Sequence, residues 1–345
     1  MVSMKDYYNM LIFLCTRLSK LEWFYSPRTF KDSVVDLEKI QIIQQSPYKH
    51  IVVPDRNILD RLIKIITTGN TNQGNIQDIA ILMSWCAMLN IDILPYYALN
   101  ELATGSNSEE KAQYEYAAFS EVFHKIDLFT WMALAIGAEK ENKKILNPIV
   151  DMSKINTHFN MESVDYLANY ASLLHFAYVY RTENSNNERF KKFFQWYYDN
   201  SKVSRFMETY ICSVLSQKPS YKAPKNINSS KVESVIRGCQ NQARDLCYLT
   251  ELSIDRIPYN QYEMILISDD KMLGNIFLNG CYNIEAIRIY ENSICNGRHQ
   301  ISEWVNNLLS NHHEFTTEDY TKHFQGRRKR SRTCRQIAEI INVQS

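Results

Sequence analysis

Acidic residues recur in this chain where an apolar run ends or a helix follows one: Asp55, Glu101, Asp245 and the pair Asp269 and Asp270. Asp55 closes Ile51-Val52-Val53-Pro54, and Asp269 closes Met264-Ile265-Leu266-Ile267-Ser268. Two buried strands would therefore bring carboxylates to one sheet edge. Carboxylates without a Cys/His set at zinc spacing suit hard, oxygen-preferring cations, Mg2+ or Mn2+. Clustered acids repel one another, so some must hold their protons unless a cation neutralises them. The pattern predicts a metal site.

Each acid also has a plainer reading. Asp55 can cap a following helix, Asp269 and Asp270 can make a capping turn, and Glu101 can face solvent. Asp245 is harder to dismiss, because Cys239, Ala243, Leu246, Cys247 and Leu249 make its helix apolar and a carboxylate there needs a partner. Arg56, Arg244 and Lys271 stand beside these acids and can contact phosphates or be ordinary surface charge. His124, His158, His175, His299 and His323 show no spacing for a metal or triad site. Tyr96-Tyr97 and Trp196-Tyr197-Tyr198 can stack bases, although aromatic stripes at helical spacing are more often core.

The elements that must position these residues read as α/β. With 345 residues and 45% hydrophobic content, the chain can bury a large core. Only nine glycines and eight prolines point to a helix-rich protein. Eight cysteines without a C-x-x-C pair read as free thiols of a reducing cytoplasm. The apolar stretch Met10 to Cys15 is short, follows Lys5 and Asp6, and leads to Arg17 and Lys20, so it reads as a packing helix and not as a signal peptide or a span. Net charge is +1, which names no partner.

Helical periodicity covers residues 5–46, and the strand Ile51-Val52-Val53 follows, with Asn57 placed to cap a helix ending at the Thr67-Thr68-Gly69-Asn70 cluster. A helix over Ile76 to Leu89, a short strand Ile91 to Pro95 and a helix carrying Glu101 come next. From Thr104 to about Ser230 the chain is aromatic-rich, Asn-rich and helical, an insertion in the α/β rhythm. The rhythm resumes with a helix over Val232 to Leu252, a strand Met264 to Ser268, a helix from Leu273 and a strand Glu285 to Tyr290. The resulting divisions are an N-terminal helical extension (1–50), two α/β segments (51–104 and 231–292), a helical insertion (105–230) and a C-terminal helical extension with a basic tail (293–345).

Laid out this way, the two α/β segments resemble the PIN-domain nucleases, metal-dependent ribonucleases of the flap-endonuclease-like fold. The resemblance rests on Val53 to Leu59, Ala98 to Ala103, Ala243 to Leu249 and Leu266 to Leu273. It implies a parallel sheet flanked by helices, with Asp55, Glu101, Asp245 and Asp269 as the acidic cluster and Asp270 as an auxiliary. In that scheme Asp55 and Asp269 hold Mg2+ or Mn2+ directly, Glu101 and Asp245 act through water, and Asp270 supports them from behind. Asp127 competes with Asp245 for the third place, but no buried strand follows it as one follows Asp245. The long insertion and the Asn-rich interior depart from minimal family members.

The tail carries a second signal. Arg327, Arg328, Lys329 and Arg330 open a basic run suited to phosphates. Thr333 to Val343 is similar to the first helix and turn of helix-turn-helix units, but the sequence given stops before a recognition helix. The leading expectation is a cytoplasmic nuclease acting on phosphodiester bonds, RNA before DNA, with a toxin or defence effector as a context. Its partners would be nucleic acid, a protein regulator on the insertion or the tail, or a second copy of the chain, and no membrane. The alternative is a catalytically inactive PIN-like scaffold that binds nucleic acid or a protein.

Overall fold

The apolar runs that end at Pro54 and Ser268 become neighbouring parallel strands, paired from Lys49 with Tyr262 to Pro54 with Ile267. The computed structural model describes residues 4–71, 75–106, 108–123, 125–144, 157–159, 164–252, 261–281, 286–294 and 300–310. The basic run Arg327 to Arg330 and the helix-turn-helix-like segment lie outside the described residues, as do His124, His299, His323, Cys295 and Cys334. The chain divides into two units, Met1–Met161 with Leu252–Leu278, and Glu162–Glu251 with Asn279–Ser345.

The first unit holds α1 (Met4–Leu21), β1 (Phe24–Tyr25), α2 (Leu37–Gln45), β2 (Lys49–Pro54), α3 (Arg56–Thr68), α4 (Ile76–Leu89), β3 (Asp92–Ile93), α5 (Tyr96–Ser106), α6 (Glu109–Phe123) and α7 (Leu128–Ala135). It also contains β4 (Tyr262–Ile267) and most of α12 (Lys271–Cys281). The second unit holds α8 (Val164–Thr182), α9 (Asn186–Asn200), α10 (Arg205–Leu215), α11 (Val232–Glu251), α13 (Ala286–Ile294) and α14 (Gln300–Ser310). The fold is thus α/β, with a small sheet in a mostly helical chain.

Among the described residues the sheet has four strands in the order β1-β4-β2-β3. The last three are parallel to one another, whereas β1 runs antiparallel against β4. This corrects the expectation of a wholly parallel sheet. The first 50 residues supply that edge strand and the first residues of β2, so they are part of the sheet.

Side-chain burial explains the elements of the first unit. On α3, Ile58, Leu59, Leu62, Ile65 and Ile66 are buried at helical spacing, and the helix stops where Gly69 adopts φ 84°, a left-handed cap that favours glycine. Its N-cap is Asp55 and not Asn57. Helix α4 is buried continuously from Ile79 to Cys86, because α1, α3 and α7 all pack on it. Trp85 of α4 meets Phe24 and Phe30 edge-on, with ring centroids 5.2 and 6.3 Å apart.

Two composition-based boundaries fall elsewhere in space. Helix α6 packs on α3 and α5, and α7 packs on α4, so the start of the expected insertion belongs with the sheet. Helix α11 packs on α8 in the second unit. The expected strand Glu285 to Tyr290 is overturned, because Ala286–Ile294 is helical. Ala286 and Tyr290, four residues apart, are both buried, and Tyr290 stacks on Phe190 at 4.2 Å. That helical packing outweighs the strand preference of Ile287 and Ile289. Among the described residues no helix is long and apolar enough to cross a membrane. Cys15, Cys86, Cys212, Cys239, Cys247 and Cys281 carry thiols and form no disulfide among the described residues, and all but Cys281 are buried.

Candidate active site

Three strands, β4, β2 and β3, end on the same side of the sheet with β2 in the middle. Asp55 follows β2, Ser268 and Asp269 follow β4, and α5 with Glu101 follows β3 after Leu94 and Pro95. Pairing extends past the strand ends, since the Asp55 amide donates to the Ile267 carbonyl at 2.8 Å and the Leu94 amide to the Val52 carbonyl at 2.8 Å. Parallel register therefore sets Asp55 beside Ser268.

Asp55 is 4% exposed. One carboxylate oxygen accepts from the Ile58 amide at 2.8 Å, capping α3, and the other accepts from the Ser268 hydroxyl. Burial pushes its pKa up to about 6, and the Asp269 charge adds to that rise, while the two hydrogen bonds and the Arg61 charge oppose it. The plainer reading of Asp55 as a helix cap is thus realised, but with only half of the carboxylate.

Ser268 joins three groups. Its hydroxyl donates to Asp55 and accepts from the Asp270 amide at 3.0 Å, and its own amide donates to the Trp23 carbonyl at 3.0 Å. Asp270 in turn caps α12, accepting from the Met272 and Leu273 amides at 2.8 and 3.2 Å. Asp269 is ion-paired to Arg61 of α3. Behind the turn, burial above all, with the charges of Glu22, Asp270 and Asp269, pushes the Tyr25 hydroxyl up to about 12.

Glu101 is half-buried on α5, which packs against α3. Asp245 lies in the second unit, half-buried on α11, where its carboxylate accepts from Gln242 at 3.4 Å. Asp127 caps α7 through the Thr130 amide at 3.0 Å and pairs with Lys144, and the Lys144 hydrogen bond holds its carboxyl well below the usual range. The structure thus brings Asp55, Ser268, Asp269 and Asp270 together. Among the described residues, no three His, Cys, Asp or Glu side chains gather closely enough to hold an ion.

The basic neighbours differ in availability. Arg56 is clamped by Glu115 at 2.6 and 3.2 Å and by Asp60 at 3.2 Å. Lys271 pairs with Glu22 but is well exposed. Arg244, in the second unit, donates to Asn241 at 2.8 Å.

Sequence reasoning missed Ser268, Arg61 and Asp78. Ser268 was visible as a hydroxyl between an apolar strand and two acids. Asp78, in the first turn of α4, is half-buried, and burial raises its pKa while Arg17 and Arg61 oppose the rise. Nothing in the order of the chain announces that Arg61 meets an acid 208 positions away.

The donor set at this edge is oxygen only, which suits Mg2+ or Mn2+. A buried acid whose charged form is disfavoured by burial and by a second acid gains from a nearby cation, so the chemistry of these donors, though not a gathered set of three, is of the kind such an ion prefers. Comparison of the chain with family models, with curated proteins and with solved structures gave no match.

Proposed function

We propose that this protein is a PIN-like, metal-dependent nuclease that hydrolyses phosphodiester bonds, RNA in preference to DNA, at the carboxyl edge of β2 and β4. One observation carries the reading: three parallel strands end on one side, and Asp55, Asp269 and the helix bearing Glu101 follow their ends. Open α/β sheets bind ligands at such an edge.

In this reading Asp55 and Asp269 hold Mg2+ or Mn2+, and Glu101 orients a water. The ion supplies a lowered pKa for the attacking water and charge neutralisation for the leaving oxygen. Ser268 fixes the Asp55 carboxylate through its hydroxyl, and Asp270 fixes the turn that carries Asp269. Lys271, exposed at the start of α12, is the basic residue of this edge best able to meet a substrate phosphate.

A second reading has its own support. Both Asp55 oxygens are hydrogen-bonded and Asp269 already has a guanidinium partner, so the edge is complete as a scaffold without an ion. Labelled RNA and single-stranded DNA incubated with Mn2+ separate the two, using the native protein and an Asp55→Asn, Asp269→Asn double variant. Cleavage by the native protein alone supports the nuclease. Equal cleavage by both sinks the assignment of these acids, and cleavage by neither favours the scaffold.

A further inference from the structure

We infer that Arg61 is a built-in counter-cation that competes with a divalent ion for Asp269, so that ion entry requires the guanidinium to leave. The inference rests on the metal-ion reading above and concerns how that same site is regulated.

Arg61 stands among acids. It is ion-paired to Asp269, and its charge also reaches Asp55 and Asp78. A cation is favoured at this point, and Arg61 supplies one from the chain itself. A guanidinium and a divalent ion sharing one carboxylate would repel each other across a partly dehydrated gap, where screening is weak. The Arg61 side chain is only 16% exposed, and that of Asp269 29%.

The seat of Arg61 is also incompletely built. Its Nε is buried and has no hydrogen-bond acceptor among the described residues. Trp23 lies 5.8 Å from the guanidinium, at the outer range of a cation–π contact. Arg56, on the same helix, shows the contrast: two of its nitrogens make three hydrogen bonds to Glu115 and Asp60. Arg56 is thus fixed through two nitrogens to two carboxylates, whereas the buried Nε of Arg61 has no acceptor, so displacement from Asp269 breaks no hydrogen bond at that nitrogen.

Calorimetric titration of the full chain with MnCl2 tests this, using the native protein, Arg61→Gln, Arg61→Met, Arg61→Lys and Asp269→Asn. Arg61→Met keeps an apolar stem against Trp23 should Arg61→Gln fold poorly. We expect the two charge-free variants to bind Mn2+ at least tenfold more tightly than the native protein, Arg61→Lys to stay within about threefold of it, and Asp269→Asn to lose binding. Native-like or weaker binding by both charge-free variants overturns the competition while leaving the ion site standing. Absence of binding in every protein, charge-free variants included, overturns the ion reading itself and this inference with it.

Discussion

The Ser268 hydroxyl donates to the Asp55 carboxylate across the seam between β4 and β2, joining residues 213 positions apart. That bond ties a strand end to the N-cap of α3 and favours the Asp55 carboxylate, but burial outweighs it and the charged form is disfavoured.

A measurable pH dependence follows. The folded pKa of Asp55 is raised to about 6 from 3.8, so between those values the folded state binds the extra proton and stability falls as pH rises. The full loss, on the order of 3 kcal/mol, is reached above pH 6. Asn at this position can still cap α3. Urea unfolding in EDTA should show the native protein losing stability relative to Asp55→Asn between pH 4 and 7, and parallel profiles would refute the raised pKa.

Glu263 has the opposite sign. It is buried on β4, accepting from Ser26 at 2.6 Å, from the Thr29 amide at 3.0 Å and from the Thr29 hydroxyl at 3.2 Å, with His50 at 3.2 Å. Burial alone would raise its carboxyl, but these partners together hold it below the ordinary value. Its contribution is therefore present above the unfolded carboxylate pKa and lost as pH falls through the lower folded one. Glu263→Ala strands several buried donors and should cost about 3–5 kcal/mol at pH 7 by urea titration. A cost under about 1 kcal/mol would show that the network adds nothing.

Gly274 of α12 faces Tyr25 so closely that an added Cβ would lie 2.2 Å from the ring. Gly274→Ala should destabilise by about 1–3 kcal/mol through overpacking. Combined with Tyr25→Ala the two costs should be less than additive in a double-mutant cycle. Strict additivity would mean that the ring moves aside freely.

How much of this was legible in the chain differs by element. β2, β3 and β4 were readable because each lies in an apolar run that ends at Pro54, Pro95 or Ser268, whereas β1, Phe24–Tyr25, was absorbed into the helical periodicity of residues 5–46. Helix α13 was misread because Ile287 and Ile289 alternate around Arg288, and only the stack of Tyr290 on Phe190 reveals the helical phase. Asp55 and Asp269 were legible as acids at strand ends. Arg61 and Asp78 were not, since the partner of Arg61 lies 208 positions away and the charged neighbours of Asp78, Arg17 and Arg61, come from other helices. The unit boundary was hidden for the same reason: α6 and α11 are set by the helices they pack on.

Two basic residues separate structure from substrate contact. Lys271 and Glu22 form an exposed pair, so Lys271→Ala should change stability by less than about 0.5 kcal/mol. It should nevertheless weaken RNA binding and lower the salt slope by about one. Arg56→Ala should do the reverse, losing about 1–3 kcal/mol of stability by leaving Glu115, itself 9% exposed, without its partner. Thermal unfolding and filter binding at several salt concentrations read both, and unchanged RNA binding by Lys271→Ala would remove it from the substrate path.

The most direct measurement is an anomalous-scattering map from crystals of the native protein soaked in MnCl2. The account predicts a peak at the carboxyl edge of β2 and β4, within coordination distance of Asp55 and Asp269, with Arg61 drawn away from Asp269. A map with no peak at that edge, and Arg61 still paired with Asp269 at saturating Mn2+, would contradict it.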